Sequence, residues 1–344
     1  MEHDIRQLLQ DLQAEAIETL DNGAFHQWSQ NEIDALHLAL ASERPLLVRG
    51  EPGTGKTQLA RAAAAALRWY LHPVTVSPRF EASDLFHSFD AVRRLADAQA
   101  AAAAGGGIKD DAHYWLPGPF WRAFDWGGAQ AYGQVSGQKA KAPPRPRGHV
   151  ILIDEIDKAD SDLPNSLLEV LGSREFPNPV TRSPIRPTHG LPLVVITTNE
   201  ERELPAAFLR RCVVLTLEPE QYYPSFLVKR GRAHFGPQAG REEGDCLDDE
   251  ILQIAASQLA EDRHNAYLAG VPLPGLAEYI DLLGALRRLA PGDPAKQIKW
   301  LGKLACYAFL KHGVVEGNDR LSQKLSQQAT QKRLEGVQGE ASAQ

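Results

Sequence analysis

The sequence predicts an α/β protein with a parallel sheet covered on both faces, followed by a smaller all-helical domain. Two observations carry this. PLLVRG (45–50), PVTVSP (73–78), HVILID (149–154), LPLVVITTN (191–199) and CVVLTLEP (212–219) are short apolar runs alternating with helix-forming stretches, the pattern of strands buried on both faces. Past Pro219 such runs stop, and helical periodicity takes over at Ile251–Leu259, Leu276–Leu289 and Ile298–Leu310.

Taken in order, Ile5, Leu8, Leu9, Leu12, Ile17 and Leu20 lie close to one helical stripe, which predicts an N-terminal helix within residues 1–22. The α/β core then runs over 23–219. TQLARAAAAALRWYL, after the first strand, is rich in helix formers. Leu163, Leu167, Leu168 and Leu171 share one helical face after the third strand. Two stretches interrupt the rhythm. Residues 96–111 are Ala- and Gly-rich and read as a helix running into a loop. Residues 127–148, with their basic KAKAPPRPR, read as a long exposed insertion. The helical domain is expected over 220–325, and 326–344 is a polar tail.

Composition narrows the function classes. In 344 residues, 43% hydrophobic and 24% charged, neither wholesale disorder nor a coiled coil is expected. The net charge of −7 argues against a general nucleic-acid coat. No run of about 18 apolar residues exists to span a membrane. MEHDIRQLLQ carries acids where a signal peptide needs bases, and Cys212, Cys246 and Cys306 have neither metal nor disulfide spacing. The expected location is cytoplasmic.

The chemistry concentrates at strand ends. Gly50-Glu51-Pro52-Gly53-Thr54-Gly55-Lys56-Thr57 is a complete G-x-x-x-x-G-K-[ST] phosphate loop between a strand and a helix. Its glycines let backbone N–H groups turn toward phosphate oxygens, and the helix start adds its positive dipole end. Lys56 would neutralise the β- and γ-phosphates, the Thr57 hydroxyl would ligate Mg²⁺, and Gln58 continues the nucleotide-binding stretch. His149–Glu155 is an apolar strand ending in two acids, the Walker B pattern. A doubly buried strand presents carboxylates only at its carboxyl edge, where open α/β sheets bind ligands. Asp154 would hold Mg²⁺ through its water shell, and Glu155 would deprotonate the attacking water. Asn199, ending the fourth strand, would position that water or contact the γ-phosphate, although a strand-end Asn is commonly a turn residue. Arg210 and Arg211 close a short amphipathic helix before the fifth strand. They fit either a guanidinium delivered to a developing phosphoryl charge or a basic helix end.

Together these motifs resemble the AAA+ ATPases, and more narrowly the MoxR family: PLLVRGEPGTGKTQLA, SDLFHSFDAVRRL, WLPGPFWRA, ILIDEIDKADSDLPNSLLEVL and VVITTNEERELPAAFLRRC have family counterparts in the same order. The match runs from residue 28 to about 219, and more loosely to about 312. The resemblance implies an AAA+ P-loop NTPase αβα core with strand order 5-1-4-3-2, a helical lid, ATP and Mg²⁺ as cofactors, and a homo-oligomeric ring, commonly a hexamer, with ATP at each interface. It makes Asn199 the sensor-1 residue and Arg211, or secondarily Arg210, a trans-acting arginine finger. It implies a pre-sensor-1 hairpin at 174–192 and substrate-side candidates Phe86, Phe89 and Trp115. No arginine stands at the sensor-2 position near Pro274–Tyr279, and the stretch between Lys56 and Asp154 is long for the family. The expected activity is remodelling of a protein client, with a von Willebrand A-domain protein as a partner class. Two rivals stand beside it: a nucleic-acid-stimulated motor using KAKAPPRPR, Arg182 and Arg186, and a nucleotide-gated scaffold in a signalling or defence assembly.

Overall fold

The computed structural model describes residues 17–19, 25–104, 106–107, 110–133, 145–160, 162–218, 222–236 and 246–309, with backbone alone at 17–19, 104 and 133. In chain order come β1 (Ile17–Thr19), β2 (Phe25–Gln27), α1 (Gln30–Ser42), β3 (Leu46–Gly50), α2 (Lys56–Leu67), β4 (Tyr70–Thr75), β5 (His87–Phe89), α3 (Ala91–Ala104), β6 (Trp115–Pro117), α4 (Pro119–Phe124), α5 (Trp126–Gly133), β7 (His149–Asp154), α6 (Asp162–Ser173), β8 (Phe176–Pro177), β9 (Pro184–Ile185), β10 (Leu193–Thr198), α7 (Ala206–Leu209) and β11 (Val213–Leu217). The helices α8 (Tyr223–Phe235), α9 (Asp249–Leu268), α10 (Leu276–Leu289) and α11 (Pro294–Phe309) follow. Among the described residues, contacts group these into two compact units, 17–19 with Trp28–Gly50 and Lys56–Thr216, and 25–27 with Glu51–Gly55 and 217–309.

The first unit is built on a five-stranded parallel sheet of order β11-β3-β10-β7-β4. Renumbered along the chain this is 5-1-4-3-2, the order that the AAA+ resemblance implies. Val150–Ile153 on β7 and Leu193–Ile196 on β10 are almost wholly buried, so both sheet faces are covered and the strands must be apolar throughout. Ala60, Ala62, Ala63 and Ala64 of α2 are buried, small enough to bring helix and strands close. Leu163, Leu167 and Val170 of α6 join the same core cluster. The α1 helix starts with a capping box: Ser29 Oγ accepts the Glu32 amide at 3.3 Å, and the Glu32 carboxylate accepts the Ser29 amide at 2.7 Å.

Three sequence expectations are corrected here. Residues 17–19 form a strand, not a helix end, as β-branched Ile17 and Thr19 favour; the rest of the N-terminal stripe lies outside the described residues. The second strand begins at Tyr70, not Pro73. Pro73 sits inside it because β4 is an edge strand, where a missing N–H costs no ladder bond. The segment expected as an exposed insertion from residue 127 instead continues as α5 to Gly133, with Trp126 and Ala129 buried. Residues 134–144 and everything past 309 lie outside the described residues. No described helix is long and apolar enough to cross a membrane.

The second unit packs α8 to α11 about Leu227, Ile251, Leu252, Leu259, Leu283, Leu286 and Leu301. Tyr279 Oη donates to Leu252 O at 2.9 Å, so the buried phenol is satisfied. Gly231 makes room for it: a Cβ there would lie 2.9 Å from that oxygen.

Candidate nucleotide site

The phosphate loop leaves β3 at Gly50, and α2 begins at Lys56. Gly53 and Gly55 have φ of +78° and +99°, a region closed to most L-residues, so the loop's backbone path depends on them. Lys56 is buried, and its ammonium donates to Gly50 O at 2.7 Å. Burial pushes its pKa below the usual lysine value, while Asp154, Asp157, Glu155 and Glu200 act to raise it.

Walker B meets this loop directly. Thr57 Oγ1 lies 3.0 and 3.1 Å from the two oxygens of Asp154. The hydroxyl and the carboxylate are hard oxygen donors side by side, a fit for Mg²⁺, which takes one or two protein oxygens and completes its shell with phosphates and water.

Glu155 follows with φ of +61°, a left-handed backbone that turns its side chain off the line of the strand. Its carboxylate accepts from Lys158 Nζ at 2.6 Å, and the pair is about one-third exposed. Asn199 stands just past β10 on the neighbouring strand; its backbone amide donates to Asp157 Oδ2 at 3.1 Å. Lys56, Thr57, Asp154, Glu155 and Asn199 are thus brought to one carboxyl edge of the sheet.

Two residues that motif reading passed over tie this edge together. Thr197 Oγ1 donates to Asp154 Oδ1 at 2.6 Å and accepts the Glu155 amide at 2.9 Å. Asp157 is buried, and its Oδ2 accepts the amides of both Asn199 and Glu201, the latter at 3.0 Å. The sequence signal was a third acid two places after Glu155 and a hydroxyl two places before Asn199.

The tip of the loop, Glu51–Gly55, belongs to the second unit and makes contacts within it. Glu51 pairs with Arg263, whose Nη1 also donates to Pro274 O at 3.0 Å and whose guanidinium covers the Tyr223 ring at 4.8 Å. A Cβ on Gly53 would meet the Ala277 Cβ at 3.1 Å. Pro52 is exposed, and Gln58 Oε1 is buried with no hydrogen-bond partner among the described residues.

Arg210 and Arg211 follow the four-residue α7, exposed, and among the described residues neither makes an ion pair. Of the substrate-side candidates, Phe86 packs on Phe120 and Phe176 in the core, whereas Phe89 and Trp115 pair across the β5–β6 hairpin at 5.0 Å. An antiparallel hairpin, β8–β9, occupies the 174–192 segment.

A strand, phosphate loop and helix, with an Asp-Glu pair ending the strand two places away in a 5-1-4-3-2 sheet, define the AAA+ P-loop fold. Residues 45–212 match the family model described as AAA domain (dynein-related subfamily). Similar solved structures include the RuvB Holliday junction branch migration motor of Thermotoga maritima, 17% identical over 80% of this chain and 70% of that one, with a TM-score of 0.42. A point mutant of the same RuvB is 16% identical over 84% and 74%, with a TM-score of 0.45. Such values say nothing of what this chain acts on. A comparison with curated proteins finds no match.

Proposed function

We propose that this chain is an ATP-hydrolysing, MoxR-type AAA+ remodelling ATPase, working as a homo-oligomeric ring, taken as a hexamer, on a protein client. The observation that carries the reading is the joining of Thr57 to Asp154 beside Lys56, since these motif residues are far apart in sequence and have shared chemistry only around a triphosphate. Bound Mg²⁺ would supply charge neutralisation across the phosphate oxygens, held by Thr57 and Asp154. Lys56 exchanges its Gly50 carbonyl for phosphate oxygens. Glu155 takes the proton of the attacking water once its carboxylate parts from Lys158, Asn199 orients that water, and Arg211 of an adjoining copy meets the charge that develops on the γ-oxygens.

The MoxR assignment is supported by the ordered motif series and by hairpins at β5–β6 and β8–β9 in the segments where that family has its substrate-side elements. A von Willebrand A-domain protein is the partner class the resemblance suggests. For the nucleic-acid rival, Arg186 is already paired with Glu175 at 2.6 Å, whereas Arg182 is exposed and makes no ion pair among the described residues.

Purifying the Glu155→Gln variant with ATP from its native cells tests the assignment. A protein that co-elutes only in ATP supports it. Recovery of nucleic acid alone, with salt-sensitive stimulation of ATP turnover by DNA or RNA, contradicts it.

A further inference from the structure

We propose that Arg44 is a positioning residue for the arginine finger. The inference rests on the finger reading of Arg211 and deepens it. The α7 helix has only four residues, and the carbonyls of Arg210 and Arg211 lie past its last turn, where no helical amide can satisfy them. Arg44 fills that gap. Its Nε donates to Arg211 O at 3.1 Å, and its Nη2 donates to Arg210 O. Adjacent N–H groups of a planar guanidinium suit two successive carbonyls; a lysine ammonium offers no such fork. Arg44 also places its charge at the helix's negative end.

Arg44 is itself held on both sides. The α1 helix ends in a Schellman arrangement, with Glu43 at φ +53°, its amide on Leu40 O and the Arg44 amide on Ala39 O at 3.0 Å. Next along the chain, Pro45 O accepts the Val213 amide at 2.8 Å, tying the entry of β3 to the start of β11. The Glu43 carboxylate pairs with Arg174 at 2.7 Å, just before the β8–β9 hairpin. The segment 43–45 is therefore a fixed post between the end of α1, the finger segment and the hairpin's base. It fixes the backbone of Arg210 and Arg211 and leaves both guanidinium groups exposed for use on another copy.

Mixing experiments test this with a readout that general damage would not reproduce. Arg44→Ala should bind ATP normally, yet its rings should turn over about 10²-fold more slowly, the scale of an ångström-sized misplacement. Arg44→Lys should fall between the two. An Arg44→Ala subunit keeps a sound nucleotide site, and a Lys56→Ala subunit keeps a sound finger. Mixed rings of the two should recover activity that neither shows alone, whereas mixing Arg44→Ala with Arg211→Ala should recover nothing. Full turnover by Arg44→Ala overturns the proposal. So does recovery in the Arg211→Ala with Lys56→Ala mixture without recovery in the Arg44→Ala with Lys56→Ala mixture, which spares the interfacial site. Silence in both mixtures overturns the interfacial finger and the Arg44 role with it.

Discussion

Thr197 Oγ1 stands 2.6 Å from Asp154 Oδ1 and accepts the amide of Glu155 at 2.9 Å. One hydroxyl on β10 thus fixes both acids at the end of β7, the one assigned to the metal and the one assigned to water. The Thr197→Val variant keeps the volume and leaves the Glu155 amide without its acceptor, a cost of about 1–3 kcal/mol. It should bind ATP but need more Mg²⁺ for half-maximal hydrolysis, with lower maximal turnover. Mg²⁺ titrations of the ATPase rate measure this, and an unchanged Mg²⁺ dependence would remove Thr197 from the site.

Lys56 and Glu155 should fail in different ways. Lys56→Ala loses a charge-assisted contact of about 1.5–3 kcal/mol, hence about tenfold or more in ATP affinity. Glu155→Gln should keep ATP affinity, lose turnover and accumulate ATP-bound rings. Equilibrium nucleotide titration with size measurement separates the two, and full turnover by Glu155→Gln would take that residue out of the base role.

Gly53 has a steric reason to be glycine. Alanine there meets Ala277 Cβ at 3.1 Å and must hold a φ of +78°, about 1–2 kcal/mol for the backbone alone. Gly53→Ala should lower both the melting temperature and ATP affinity. Gly172→Ala is the control: it lies in α6 with nothing within 4 Å of a new Cβ, so it should be neutral or stabilising. Thermal melts of the pair check the contrast.

How much of this was legible beforehand follows from where the information lies. The inner strands β3, β7 and β10 show because burial on both faces makes each one apolar along most of its length, whereas the edge strands β4 and β11 are partly exposed and show less sharply. The phosphate loop and Asp154-Glu155 show because their chemistry is packed into a few consecutive residues. The bonds of Thr197 to Asp154, of Asp157 to Asn199 and of Arg44 to Arg211 cross long stretches of chain, so no local pattern announces them. Pro73 hid the start of β4, since only sheet order reveals an edge. Gly127 and Gly128 masked α5, whose stability comes from Trp126 and Ala129 in the core.

A pair of histidines gives the fold a pH dependence. His72 Nε2 and His149 Nδ1 are 3.0 Å apart, on adjacent strands. Burial pushes their pKa values down to about 3 and about 4, with His149 and Arg122 adding to the effect on His72, and Arg145 and His189 to that on His149. The unfolded chain, with histidines near 6.5, therefore binds more protons as pH falls below that value. Stability from this pair is complete above pH 6.5 and drains away down to about pH 3–4, by up to about 1.4 kcal/mol per pH unit for each proton. Melting temperatures between pH 7.5 and 4.5 should fall more steeply for the native chain than for a His72→Gln, His149→Gln double variant. Parallel curves would contradict the account.

The most direct test of the central claim, a nucleotide cradle completed by a neighbouring copy, is the ATP hydrolysis rate per subunit across a wide range of protein concentration. A finger contributes about 10³–10⁵-fold in turnover, so the rate per subunit should climb steeply as rings form, and Arg211→Ala should abolish the climb while still binding ATP. Equal turnover in the dilute monomer, with or without Arg211, would contradict it.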